Sequence, residues 1–204
     1  MLSLKKIKVK RIAITGGIGV GKTKVSELFH DLGVPVYNSD VSAKELMASD
    51  PKVTAAIKSL FGEKAYRSNG FLNKAYIANE IFSDPLKRTA LNAIVHPAVR
   101  AHFTSWLANQ DPNTNYILYE SALVFENNLE SNFDAVILVT ASRETRIARV
   151  CKRDLKSEQQ VLAIMNAQSP EEAHLDKADF VLKNQDLATT VLKVKELHKN
   201  ISYM

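Results

Sequence analysis

Residues 13–25 read AITGGIGVGKTKV, an apolar run that gives way to four glycines within six residues and then to Lys22 and Thr23. From Gly16 the order G-G-I-G-V-G-K-T satisfies G-x-x-x-x-G-K-S/T. Upstream, RIAIT at 11–15 has the β-branched content of a strand, and downstream KTKVSELFHDLG has the apolar spacing of an amphipathic helix. Strand, glycine loop and helix in that order predict a loop whose amide N–H groups curl around phosphate oxygens at a helix N-terminus. Gly17, Gly19, Val20, Gly21, Lys22, Thr23 and Lys24 are the residues expected to bind the phosphates of a nucleoside triphosphate. Lys22 can reach the β- and γ-phosphates, and the Thr23 hydroxyl can ligate Mg²⁺.

Working outward, strand-like stretches recur at 34–38 (VPVYN), 115–121 (NYILYES), 134–140 (DAVILVT) and 179–183 (DFVLK), with helical patterns between them. Continuous apolar runs such as VILV suit parallel strands covered on both faces. The expected fold is therefore an α/β P-loop NTPase-type open parallel five-stranded sheet flanked by helices. Residues 41–110 break the alternation and read as consecutive helices, with interruptions near Pro51, at RSNG (67–70) and at Asp84-Pro85. They predict a helical insert for a substrate, within a single domain whose core is 1–40 and 111–204 and whose lid is about 143–170. Pro97, after His96, is expected to kink a long helix or start a new one. Ser142, Ser157 with Gln160, and Ser169-Pro170 read as further helix starts.

Length and composition narrow the class. At 204 residues and 46% apolar content the chain can bury a core without recourse to disorder. It has one cysteine, Cys151, and so cannot close an intramolecular disulfide, and Lys5, Lys6, Lys8 and Lys10 interrupt any apolar signal-peptide core. No apolar run approaches the roughly 18 residues of a membrane span. These features predict a cytoplasmic protein with no membrane partner. The excess of 27 Lys+Arg over 22 Asp+Glu favours anionic ligands, and the basic run from Lys5 to Arg11 reads as a solvated start to the first strand.

A phosphate loop does not by itself separate kinases, GTPases and motors. KNQD at 183–186 lacks the lysine of a guanine-reading N-K-x-D motif, no D-x-x-G switch follows the second strand, and the length is short for a motor. The acceptor side is more informative. Asp40, just after the second strand, falls at the sheet edge where ligands bind and could accept a hydroxyl proton; it could also serve as a helix cap. Arg143, Arg146, Arg149 and Arg153 share one helix face, either as a lid over the triphosphate or as a solvated stripe.

The ordered set ITGGIGVGKTKV, LGVPVYNSD, LNAIVHPAVR, ESALVFEN, RVCKRD and AQSPEEAHLDKADFVLKN resembles the dephospho-coenzyme A kinases over nearly the whole chain. That resemblance implies ATP-dependent phosphorylation of the ribose 3′-hydroxyl of dephospho-CoA, the last step of coenzyme A synthesis, with ATP and dephospho-CoA as partners, Mg²⁺ as metal and no nucleic acid. It makes Asp40 the general base, with Lys22 and Arg149 also catalytic. Arg149 and Arg153 become lid residues over the nucleotide, and Asn184 falls near adenine. His96 and Glu126 face the CoA substrate, although His96 could equally be only the residue that precedes the Pro97 interruption. Three positions depart from the family pattern: Asn38 replaces an acidic residue, Ala122 a proline, and Lys183 a commonly acidic position. The alternatives are another small-metabolite P-loop kinase, shikimate-like or acting on nucleoside monophosphates, and a non-catalytic nucleotide-binding regulator or nucleic-acid partner. The sequence leaves the oligomeric state open.

Overall fold

The computed structural model describes residues 9–204, so Lys5, Lys6 and Lys8 of the basic run lie outside the described residues. Strand β1 (Lys10–Thr15) leads through the glycine loop into α1 (Lys22–His30), and β2 (Val36–Asn38) passes without a linker into α2 (Ser39–Ser49). Helices α3 (Pro51–Phe61), α4 (Lys74–Ser83) and α5 (Pro85–Ala108) follow. The chain then forms β3 (Tyr116–Glu120), β4 (Ala135–Thr140), α6 (Arg143–Asp154), α7 (Glu158–Asn166), α8 (Glu172–Leu175), β5 (Phe180–Lys183) and α9 (Leu187–Tyr203). Each strand falls in a stretch expected from its apolar run, except that β1 begins one residue earlier, at Lys10. β2 begins two residues later than expected because the Val34 N–H is donated to the Phe29 carbonyl at the end of α1 and Pro35 has no N–H to give.

The described residues divide into two compact units, one formed up to Asn38 together with Asp111–Met204, the other by Ser39–Gln110. The first holds an all-parallel sheet of order β2-β3-β1-β4-β5, in which Ile12 of β1 is paired with Leu118 on one side and Ala135 on the other. Every residue of β3 and β4 is buried, as two-sided cover demands. On one face Ile12, Ile14, Leu118, Ile137 and Leu182 pack with Val25 and Phe29 of α1 and with Val194 and Ile201 of α9. On the other, Ala13, Val136 and Leu138 meet Val124 and Phe125. Because all strands run the same way, Thr15, Asn38, Glu120, Thr140 and Lys183 end on one edge. Central β1 is where the winding reverses, the place at which open α/β sheets hold ligands.

The second unit is built on helices. Its ends are written in the sequence: Asp50 accepts from the Lys52 and Val53 amides, and Asp84 from those of Leu86 and Lys87, each followed by proline in the first turn. Val53, Ile57, Phe61, Ala65, Tyr66, Ile77, Leu91, Val95 and Val99 form its buried apolar set. The Tyr66 hydroxyl donates to the Met47 carbonyl at 2.7 Å and that of Tyr76 to Phe61 at 3.0 Å, tying helices together through their free carbonyls. The RSNG turn is closed by an antiparallel bridge between Tyr66 and Leu72. α5 runs through Pro97 as one helix, so Pro97 starts no new helix, at the cost of the N–H that would have served the Ala93 carbonyl.

Candidate active site

The glycine loop leaves the carboxyl end of β1 and turns into α1 through two left-handed residues, Gly19 (φ 81°) and Gly21 (φ 86°). A side chain is excluded at both by conformation and by space. A methyl group on Gly19 would lie 2.7 Å from the Arg146 carbonyl oxygen, and one on Gly21 would collide with the Asn184 amide. The loop thus passes close under α6 and under the turn after β5. With Lys22 as its first residue, α1 points its free N–H groups and the positive end of its dipole at the loop.

Lys22 and Thr23 are already engaged by protein groups. The Lys22 ammonium donates to the Gly16 carbonyl at 2.7 Å, folding the side chain back over the loop it would serve. The Thr23 hydroxyl donates to Glu120 Oε1 at 2.8 Å. Glu120, 4% exposed, closes β3 and is the register partner of Asn38 in β2. A buried carboxylate therefore stands one strand away from the position where Asn38 lacks one. Lys24 turns away from the loop and pairs with Glu27 at 3.0 Å on the exposed face of α1.

Val20, fully buried, is anchored by its carbonyl, which accepts from Asn184 Nδ2 at 2.8 Å and from the Arg149 guanidinium at 3.2 Å. Arg149 also donates to the Gln185 carbonyl at 3.3 Å, so its planar fork bridges the loop and the turn after β5. Asn184 is itself fixed by Thr190, whose hydroxyl lies 3.0 Å from Asn184 Oδ1 and 2.6 Å from the Asp186 carbonyl. The residue expected near adenine thus has its amide on the Val20 backbone.

The arginine stripe divides by position. Arg146, only 12% exposed in its side chain, donates to the Ile18 carbonyl at 2.9 Å and pairs with Glu171 at 3.4 Å. Burial raises the Glu171 carboxyl above its ordinary range, against the lowering effect of Arg146. Arg153, 65% exposed, lies bidentate on its neighbour Asp154 and is not brought to the loop, and Arg143 is also exposed. Glu126 lines a small pocket with Thr15, Gly16, Gly17, Glu171 and His174.

The remaining expected residues belong to the helical unit. Asp40 is the second residue of α2, exposed in its first turn and therefore past the cap position, where the dipole favours a negative charge. His96 is partly buried in α5, and burial, with Arg100 adding to it, holds its imidazole below the usual range. Sequence reasoning missed Glu120, Gln168 and the prominence of Arg146. Only Glu120 had a local signal, a carboxylate ending an apolar strand.

Four similarities bear on this arrangement. The sequence model of the dephospho-CoA kinase family matches residues 10–189. A dephospho-CoA kinase of Bacteroides fragilis is 34% identical over 187 residues, covering 92% of this chain and 90% of that one. A crystal structure from Thermus thermophilus superposes with a TM-score of 0.85 at 32% identity, covering 94% of this chain and 97% of the other. The dephospho-CoA kinase of Campylobacter jejuni, at 23% identity and TM-score 0.70 over 95% and 97% of the two chains, shares the fold. A phosphate loop held between the sheet and α6, in a chain matched along most of its length, places this protein in the dephospho-CoA kinase family.

Proposed function

We propose that this kinase transfers the γ-phosphoryl group of ATP to the ribose 3′-hydroxyl of dephospho-CoA, giving coenzyme A and ADP, with Asp40 as general base. The observation that carries the reading is the loop Gly16–Thr23, held in place by the sheet and by α6 within a chain of this family. Phosphoryl transfer asks the protein mainly for position and charge. Backbone N–H groups of the loop and of the start of α1 hold the phosphates, and Lys22 neutralises charge on the β- and γ-oxygens as it shifts during transfer. Arg149 closes the lid side of the loop, Arg153 of the same helix staying on Asp154, while Asn184 sets the height of the loop through Val20. Asp40 accepts the proton of the attacking hydroxyl, and His96 and Glu126 face the CoA substrate.

Mg²⁺ fits this end of the loop. Among the described residues no group of three His, Cys, Asp or Glu side chains gathers to hold a metal by itself. The Thr23 hydroxyl and the Glu120 carboxylate, 2.8 Å apart, are hard oxygen donors of the kind that would hold Mg²⁺ beside the phosphates. Glu120 then supplies the negative charge absent at Asn38. When bound, the metal would screen the phosphate charge. We also take the enzyme to work in the cytoplasm, a reading that rests on the lone Cys151.

The test is Asp40→Asn. An amide of the same shape can orient the hydroxyl but cannot take its proton, so single-turnover transfer to dephospho-CoA should slow by about two to four orders of magnitude. ATP binding with Mg²⁺ should stay close to parental. Unchanged transfer would remove Asp40 from the reaction.

A further inference from the structure

Ile18 lies in the middle of the phosphate loop, and both polar groups of its backbone are held by side chains from far along the chain. Its N–H donates to Gln168 Oε1 at 2.8 Å, and its carbonyl accepts from Arg146 Nε at 2.9 Å. Gln168 follows the end of α7, with its own N–H bonded to the Met165 carbonyl, and Arg146 lies on α6 with Glu171 fixing its far side. The two side chains also fill the space over Gly17, where a methyl group would come within 3.1 Å of Gln168 Oε1. A backbone residue gripped at donor and acceptor together has its orientation set, because rotating either flanking peptide breaks one of the two bonds.

We propose that Gln168 and Arg146 are positioning residues that set the conformation of the phosphate loop through Ile18, so that the segment between α6 and α8 decides how the loop presents its remaining amides. The proposal rests on the reading of the loop as the triphosphate cradle. In such a cradle the direction of each N–H matters, and the Ile18 N–H is directed at protein. The amides that follow it, from Gly19 to Thr23, inherit their aim from this fixed point. Gln168 needs no contact with ATP to affect transfer, since misplacing a reacting group by about 1 Å can cost a hundredfold in rate. Arg146 works in the same way through the carbonyl. Glu171, whose carboxylate keeps the guanidinium in place, completes the clasp.

The experiment uses the full chain with Gln168→Met, which keeps length and flexibility but removes the acceptor oxygen, and Gln168→Glu, which keeps an acceptor. Amide hydrogen exchange at Ile18, read by NMR without substrates, should accelerate at least tenfold in Gln168→Met and return towards parental protection in Gln168→Glu. Steady-state kinetics should show kcat/KM for ATP falling by about ten- to a hundredfold in Gln168→Met with KM for dephospho-CoA unchanged, and the same kcat/KM recovering in Gln168→Glu. Parental exchange at Ile18 in Gln168→Met, or accelerated exchange with parental kinetics, would overturn the proposal. A merely structural glutamine would lower the melting temperature and leave the kinetics of the folded fraction alone. Because exchange is measured without substrate, and parental enzyme with dephospho-CoA is assayed alongside, failure of the kinase reading would show separately as an inactive parent.

Discussion

Both units cap their helices with polar side chains, but the sheet unit also spends them in a way the helical unit does not. In the sheet unit Lys22, Arg146, Arg149, Gln168 and Asn184 all bond backbone groups of one short loop. In the helical unit Asp50, Asn73 and Asp84 bond the amides of their own helix starts, and Tyr66 and Tyr76 bond carbonyls within the unit. The first pattern holds an irregular, ligand-binding segment in a single shape; the second stabilises regular helices and leaves their faces to other uses. Donors fixed before the ligand arrives need no reorganisation when charge develops, the main source of electrostatic catalysis. Substitutions in the sheet unit should therefore act on turnover, whereas those in the helical unit that spare Asp40 should act on stability or acceptor recognition.

The largest effect expected from this contrast is at Lys22. Lys22→Ala removes the ammonium from the loop without disturbing the buried apolar face of α1, so kcat should fall by about 10²–10³-fold, roughly 3–4 kcal/mol, with the melting temperature close to parental. A folded variant with near-parental turnover would erase the difference between the units. The next effect separates two arginines of one helix. Arg149→Lys loses a fork shared by Val20 and Gln185 and should cost about 1–1.5 kcal/mol in kcat/KM for ATP, close to tenfold, whereas Arg153→Lys, exposed and paired with its neighbour, should stay within about 0.5 kcal/mol. Equal effects in a kinetic series would mean that Arg153 leaves Asp154 during the reaction.

The smallest effect lies in the helical unit and concerns pH. Burial lowers the His96 pKa below its ordinary value, so the unfolded chain binds this proton more readily than the folded one. The resulting stability is present in full above the ordinary histidine pKa and declines as pH falls through it to the folded value. Urea titrations from pH 7.5 to 5 should show that slope, and His96→Gln should flatten it. A slope unchanged by the substitution would assign the dependence to other groups.

Much of this fold was legible in the sequence because its signals are local. Five apolar runs mark the strands, and Asp84-Pro85, Ser142 and Ser157 with Gln160 mark helix starts that the chain uses as expected. The phosphate loop was equally clear, since its glycines, lysine and threonine must be contiguous to work. What the sequence hid lies across long separations: Ile18 meets Gln168 at 150 residues' remove, and Thr23 meets Glu120 at 97. Gln168 stood in a stretch that carries the family resemblance, but nothing local to it says that its side chain reaches Ile18. The arginine stripe was visible as a periodicity, but which members turn towards the loop depends on how α6 packs, and the structure gives that place to Arg146 and Arg149.

Gly21 and Asn184 bear on how this sequence can change over generations. Gly21 has φ 86°, and the space a side chain would need is taken by the Asn184 amide, which also holds Val20. Shrinking residue 184 would open the space yet leave the left-handed backbone, and would strip the Val20 carbonyl of a partner. Enlarging residue 21 first meets both obstacles together. Either change alone therefore carries a cost, so the side chains that the two positions, 163 residues apart, can accept are coupled as if they were neighbours.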